Sequence, residues 1–285
     1  MPPVITYTAL ILWNTKLVVG ANSGFDIDNL EVCRSFTGTS DERWFHMICA
    51  AMEASAGPTM GRLLVASNAV AFGDAAALID TLTSAKHTIQ HLIALLQKLN
   101  RRFVPTIWYE QLRPLLAGGI DDRLAKGISF DNGNTYLKLA GANAGQSSLF
   151  QFFDAALGIE HSSDFAARMR EYMPGPHARF LQATEESAST RQVVLDNAED
   201  EKLQQAYNGC VEELELFRSK HIQIVSRYIV IPAREAARKK ASQSLCEGVT
   251  KPKGELKGVG GAPLMPFLRG IRDETRQSSV CQIQP

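Results

Sequence analysis

The sequence has no surplus of either charge: lysine plus arginine and aspartate plus glutamate number 30 each over 285 residues. That removes the global field that draws proteins to nucleic acid or to anionic membrane. Cysteine is scarce. The five residues, Cys33, Cys49, Cys210, Cys246 and Cys281, are scattered and never spaced as CxxC. An odd, dispersed set argues against a disulfide framework or a structural zinc site and for reduced thiols inside a cell. The apolar stretch from Val4 to Trp13 is too short to span a bilayer, and it lacks a basic start and a small-residue cleavage site. A buried helix is expected there, in a soluble, cytoplasmic protein that neither crosses a membrane nor carries a secretory signal. Convincing strand alternation is missing, as is any repeat of solenoid length.

What is present is helical periodicity. Hydrophobic residues make up 45% of the chain, enough for one substantial core or two modest ones. Leu78, Leu82, Ala85, Ile89, Leu92, Leu96 and Leu99 recur at helical spacing, with Asn100 as a stop. A longer stripe runs through Leu203, Tyr207, Cys210, Leu214, Phe217, His221, Ile224 and Tyr228, and Pro232 is expected to end it. Shorter helices fit Trp44–Ala56, Pro105–Gly118, Ser148–Gly158, Asp164–Met173 and Pro263–Arg276, with Ser148 and Gly158 marking the ends of the third. Two segments, 119–147 with its glycines and 234–261 around Lys251-Pro252-Lys253-Gly254, read as functional loops. The expected fold is all-α: one helical domain over residues 1–276 with a long helix and these two loops, then a tail over 277–285.

His221 does not match its stripe. An imidazole between Phe217 and Ile224 must find partners for its nitrogens or lose hydrogen bonds on burial. On pattern alone two readings stand: a core histidine satisfied by its neighbours, or a metal or haem ligand. No His, Cys or carboxylate follows at i+3 or i+4 on that face, which disfavours zinc, whereas haem needs a single protein ligand. Arg218, one turn earlier, would serve a propionate or a buried carboxylate, or be solvated.

Longer motifs narrow the choice. Ala144-Gly145-Gln146-Ser147-Ser148-Leu149-Phe150-Gln151-Phe152-Phe153-Asp154, Met169-Arg170-Glu171-Tyr172-Met173-Pro174, and Arg218-Ser219-Lys220-His221-Ile222-Gln223-Ile224-Val225 stand in this order, and Gly258-Val259-Gly260-Gly261 follows. Together, from Pro2 to about Arg276, they resemble the indoleamine 2,3-dioxygenases. The resemblance implies haem b with His221 as proximal iron ligand. It also implies a reaction in which dioxygen opens the indole ring of tryptophan, or of a related indole, to N-formylkynurenine, with an electron donor as a further partner. It makes Arg113 the clamp for the substrate carboxylate, a task a guanidinium performs bidentately. Trp108 and Tyr109 become the aromatic pair beside it, and Phe45 and Cys49 the haem-side pocket. Tyr7, Leu10, Asn143, Ala144 and Val259 are placed around the substrate, and Asp154 is the partner of Arg218 behind the proximal helix.

Four positions differ from what the resemblance implies. Val259 stands for a threonine, Asn143 for a serine, and Trp108-Tyr109 for a phenylalanine pair. The smaller N-terminal domain usual in the family is expected to be absent. The competing readings are a haem-binding relative with weak or no turnover, acting as an oxygen or redox binder, and a helical interaction protein without haem. The run Arg238-Lys239-Lys240 is a solvated polar stretch, and no nucleic acid partner is expected.

Overall fold

The structure, a computed structural model, describes residues 3–18, 26–69, 75–119, 124, 126–187, 190–244 and 256–280. Cys246, Cys281, the Lys251–Gly254 cluster and the end of the tail lie outside the described residues.

The expected all-α fold is found. The long helices are α1 (Ser40–Ala69) and α2 (Ala75–Gln97), followed by the single turn α3 (Leu99–Arg102). After α4 (Arg113–Leu116) come α5 (Ser148–Leu157), α6 (Phe165–Arg170), α7 (Gly175–Glu186) and α8 (Thr190–Asp196). Helix α9 (Glu201–Val225) leads into α10 (Ile231–Ser244), and α11 (Leu264–Gln277) closes the fold. The core forms where α2 packs on α1 and α9, with α11 against the other side of α9. The α2 stripe is buried throughout, Leu78, Leu82, Ala85, Ile89 and Leu92 being fully inaccessible. No helix among the described residues is long and apolar enough to cross a membrane.

Several boundaries depart from the sequence pattern. Helix α1 runs well past Ala56, with the exposed Pro58 inside it. The expected stop at Pro232 does not occur. A π turn over Ser226–Val230 joins α9 to α10, and Pro232 falls in the first turn after it, where a missing N–H costs least. The segment expected as a loop from 234 is therefore helical to Ser244. It carries no apolar stripe to reveal it, only Ala, Arg and Lys of high helix propensity. The N-terminal apolar stretch forms a π turn, Thr8–Leu12, rather than a regular helix, and Trp13 is exposed. An antiparallel ribbon pairs β1 (Thr15–Leu17) with β2 (Leu30–Val32), too short for alternation to signal. Ser147, not Ser148, caps α5, its hydroxyl accepting from the Leu149 N–H at 3.0 Å. Gly158 closes it in the left-handed conformation at φ 65°, as expected.

The glycine segment is held tightly against α4. A Cβ on Gly141 would lie 1.7 Å from the Leu116 carbonyl oxygen, and backbone cannot yield as a side chain can. Gly141→Ala is expected to destabilise the protein by about 1–3 kcal/mol through overpacking. A urea midpoint equal to that of the parent would show that the two segments part more easily than this contact implies.

Candidate functional site

An apolar cavity of about 380 Å³ opens between α9, α1, the π turn over Ile107–Leu112, and the two glycine segments. On one side α9 presents His221, flanked by Phe217, Ile224 and Val225. Nothing among the described residues hydrogen-bonds to its imidazole. Burial, with a smaller push from the Arg218 charge, lowers its pKa to about 4, so the ring is neutral at pH 7 and its lone pair is available.

Behind α9 lies a polar cluster. Arg218 Nη2 donates to Asp154 Oδ1 at 2.5 Å, while Nη1 donates to the Ile271 carbonyl at 3.0 Å and to the Thr275 hydroxyl. His161 bridges Asp154 Oδ2 at 3.1 Å and Glu274 Oε2 at 2.8 Å. Burial opposes the charged form of His161, but the hydrogen bond and charge of Asp154, helped by Glu274, overcome it and raise its pKa. The expected Asp154–Arg218 contact is thus present, and it is one link of a chain that ties α5 and α9 to α11. Sequence reasoning missed His161 and Glu274, which lie in separate segments with no spacing to join them.

Aromatic rings form another part of the lining. Phe45 and Trp108 lie 4.7 Å apart between ring centres, Trp108 and Phe103 5.1 Å, and Phe103 and Tyr228 5.3 Å. Tyr7, Leu10, Cys49, Ala144 and Val259 complete the lining. Tyr109 does not reach the cavity: its ring lies beneath the Arg113 guanidinium, 5.8 Å from ring centre to Cζ. Arg113 lines the cavity and donates from Nη2 to the Lys257 carbonyl at 2.7 Å, which fastens its helix to the second glycine segment. Asn143 also lines the cavity, but its side chain accepts from the Gly145 N–H and donates to the Gly141 carbonyl, so it shapes the loop. The Gly141 N–H in turn donates to the Val259 carbonyl at 3.0 Å and joins the two glycine segments across the cavity mouth. Gly145 and Gly260 both abut Phe165, where a Cβ would come within 2.5 and 2.7 Å of its ring.

Polar groups are few in this part of the lining. Burial raises the Cys49 thiol pKa to about 12 and that of the Tyr7 phenol as well, with the Glu53 charge adding to both. Glu53 was not foreseen, although Phe45, Cys49 and Glu53 repeat every four residues on α1 and that spacing would have found it. Among the described residues no three His, Cys, Asp or Glu side chains converge on a metal position.

A second histidine, His46 on α1, is fully buried with neither nitrogen hydrogen-bonded. Burial lowers its pKa to about 4 against the opposing pull of Glu42. The unfolded chain therefore takes up a proton below pH 6.5 that the folded chain refuses until about pH 4, and stability falls as the pH drops through that window. The slope is about 1.4 kcal/mol per pH unit. Urea denaturation at pH 7.5 and pH 5 checks this, and His46→Phe is expected to reduce the difference, leaving the part due to His221, whose pKa is lowered to the same extent.

The family model described as indoleamine 2,3-dioxygenase matches residues 1–278. The indoleamine 2,3-dioxygenase of Saccharomyces cerevisiae is 32% identical over 96% of this chain and 68% of its own length. The 6-hydroxytryptophan 2,3-dioxygenase of Fusarium equiseti is 37% identical over 98% of this chain and 70% of its own. Human indoleamine 2,3-dioxygenase 2 is 32% identical over 98% and 68% respectively. A match over nearly the whole chain, with these residues gathered about one cavity, means that the chain belongs to the indoleamine 2,3-dioxygenase family.

Proposed function

We propose that the chain is a haem-dependent dioxygenase that opens the indole ring of tryptophan, or of a ring-substituted tryptophan, to the N-formylkynurenine. The observation that carries this reading is a neutral imidazole with no hydrogen-bond partner among the described residues, on a mainly apolar cavity lined in part by aromatic rings. His221 would supply the one protein nitrogen that holds the iron, and the apolar lining would take a porphyrin. Haem bound there would supply dioxygen activation, and a reductant is the further partner required. Both atoms of dioxygen enter the product, so no second oxidised product forms.

The chain's own residues bind, orient and exclude water. Phe45, Trp108 and Leu10 present an apolar surface against which an indole ring stacks. Arg113, held over Tyr109 and tied to Lys257, is placed to grip a carboxylate at the cavity mouth. Val259 closes the mouth with the shape of a threonine but offers no hydroxyl to the ligand. Asp154 holds Arg218, and through it the helix bearing His221.

Reconstitution with haem, followed by tryptophan, dioxygen and a reductant, tests the reading, with N-formylkynurenine detected by mass and absorbance. Absence of product at full haem loading would overturn it. Arg113→Ala is expected to raise the KM for tryptophan on the order of tenfold to a hundredfold, the loss of a charge-assisted hydrogen bond of about 1.5–3 kcal/mol. Haem content would be unchanged. If the parent handled tryptamine, which has no carboxylate, as well as tryptophan, the clamp assignment would fall.

A further inference from the structure

Glu53 has no role in the reading so far. It stands on α1 one turn past Cys49 and lines the cavity. Its Oε1 accepts hydrogen bonds from the Tyr7 hydroxyl at 3.0 Å and the Ser147 hydroxyl at 2.5 Å. Ser147 is itself fixed as the cap of α5, and the Tyr7 N–H is fixed to Gln146 Oε1 at 2.8 Å. The carboxyl group is thus held in one orientation from two segments. Oε2 accepts nothing from any described residue and is not sealed into the packing. A carboxyl oxygen open to a mainly apolar cavity is an unfilled hydrogen-bonding position, and leaving it unfilled in the presence of a tightly packed ligand is costly.

We propose that Glu53 reads the ring edge of the bound indole, with Oε2 pairing to a polar hydrogen on the aromatic ring, either the ring N–H or a ring hydroxyl. The inference rests on the cavity being an indole site. Charge sets the direction of binding. The ligand carboxylate is drawn to the Arg113 guanidinium, and the α-ammonium is bonded to the same carbon as that carboxylate and stays with it. The ring is what remains to meet Glu53. Aromatic stacking fixes the plane of the ring but not its rotation within the plane, and a single acceptor at the edge fixes the rotation. Burial raises the Glu53 pKa, and Tyr7 and Ser147 donate against that shift. In either protonation state the group keeps oxygen lone pairs for a ring donor.

The test is equilibrium binding, by calorimetry on haem-loaded protein, of tryptophan, N1-methyltryptophan, 6-hydroxytryptophan and the desamino analogue indole-3-propionate. It is run on the parent, on Glu53→Gln and on Glu53→Leu. Glutamine keeps a carbonyl oxygen for Tyr7 and Ser147, so the glutamine variant folds even if the leucine variant does not. If the ring N–H is the donor, the parent binds tryptophan about three- to tenfold better than the N1-methyl compound. If a ring hydroxyl is the donor, the parent favours 6-hydroxytryptophan by a similar factor. In both cases the preference disappears in the variants. Identical preferences in parent and variants overturn the proposal, as does a loss in the variants that vanishes with indole-3-propionate, which would place the ammonium on Glu53. Failure of every ligand to bind the parent would instead overturn the indole site itself.

Discussion

His221→Ala is expected to abolish stoichiometric haem binding while leaving helical content almost unchanged. The two halves of that expectation come from different features of the same residue. The imidazole has no hydrogen bond to any described residue to lose, and it lines a cavity, so among those residues removing it leaves no orphaned partner and little new void. Helix α9 is held by Leu203, Tyr207, Cys210 and Leu214, all fully buried, and by the Asp200 cap, whose carboxyl accepts from the Leu203 N–H at 3.0 Å. The apolar walls would still attract a porphyrin weakly, but without a histidine nitrogen to hold its iron. Absorbance of the reconstituted variant, read beside far-ultraviolet circular dichroism, decides the matter. A full Soret band with the parent's ligation would mean that iron is held elsewhere.

Asp154→Ala is expected to be the most damaging change to stability, about 3–5 kcal/mol, because it leaves the Arg218 guanidinium buried without its counter-charge. Arg218 is 8% exposed, too little for water to take the place of the carboxylate. The Ile271 carbonyl and Thr275 hydroxyl still accept from it, but neither carries charge. His161 loses one of its two acidic partners in the same step and keeps Glu274. For a chain of this size the loss corresponds to a melting temperature lower by on the order of 10 °C. Asp154→Asn, which keeps an acceptor without the charge, is expected to fall between parent and alanine. If thermal melts of the three proteins coincided, the cluster behind α9 would be solvated rather than structural.

The parts of the fold that were legible in the sequence are those in which one helix face meets the core. The α2 and α9 stripes are of this kind, and their residues are buried as the spacing predicts. Helix α7 escaped because it begins Gly-Pro and buries little beyond Leu181 and Thr184. Helix α10 escaped because, among its described residues, only Pro232 is buried and no apolar stripe forms. The π turns are invisible to a search for a period of 3.6, since they break that period. At the site, periodicity raised His221 as an anomaly, and no more. The placement of Arg113, Tyr7 and Val259 came from motif resemblance, because residues this far apart in the chain carry no local mark of meeting. Glu53 was within reach of the spacing argument, yet a carboxylate on an apolar face reads as an exception until the cavity beside it is seen.

The π turns at Thr8–Leu12, Ile107–Leu112 and Ser226–Val230 each contribute side chains to the cavity, Leu10, Trp108 and Tyr228 among them. A π turn is in effect an α-helix carrying one surplus residue, so everything beyond it is rotated by about 100° from the phase set before it. Excising a single residue from Ser226–Val230 would restore an unbroken helix and swing the whole of α10 round to a different face. His221, upstream of the excision, would keep its bearing, whereas Tyr228 and Ile229 would leave the lining. The surplus residue of Ser226–Val230 therefore acts as a phase shifter, and the shape of the cavity depends on its remaining in the chain.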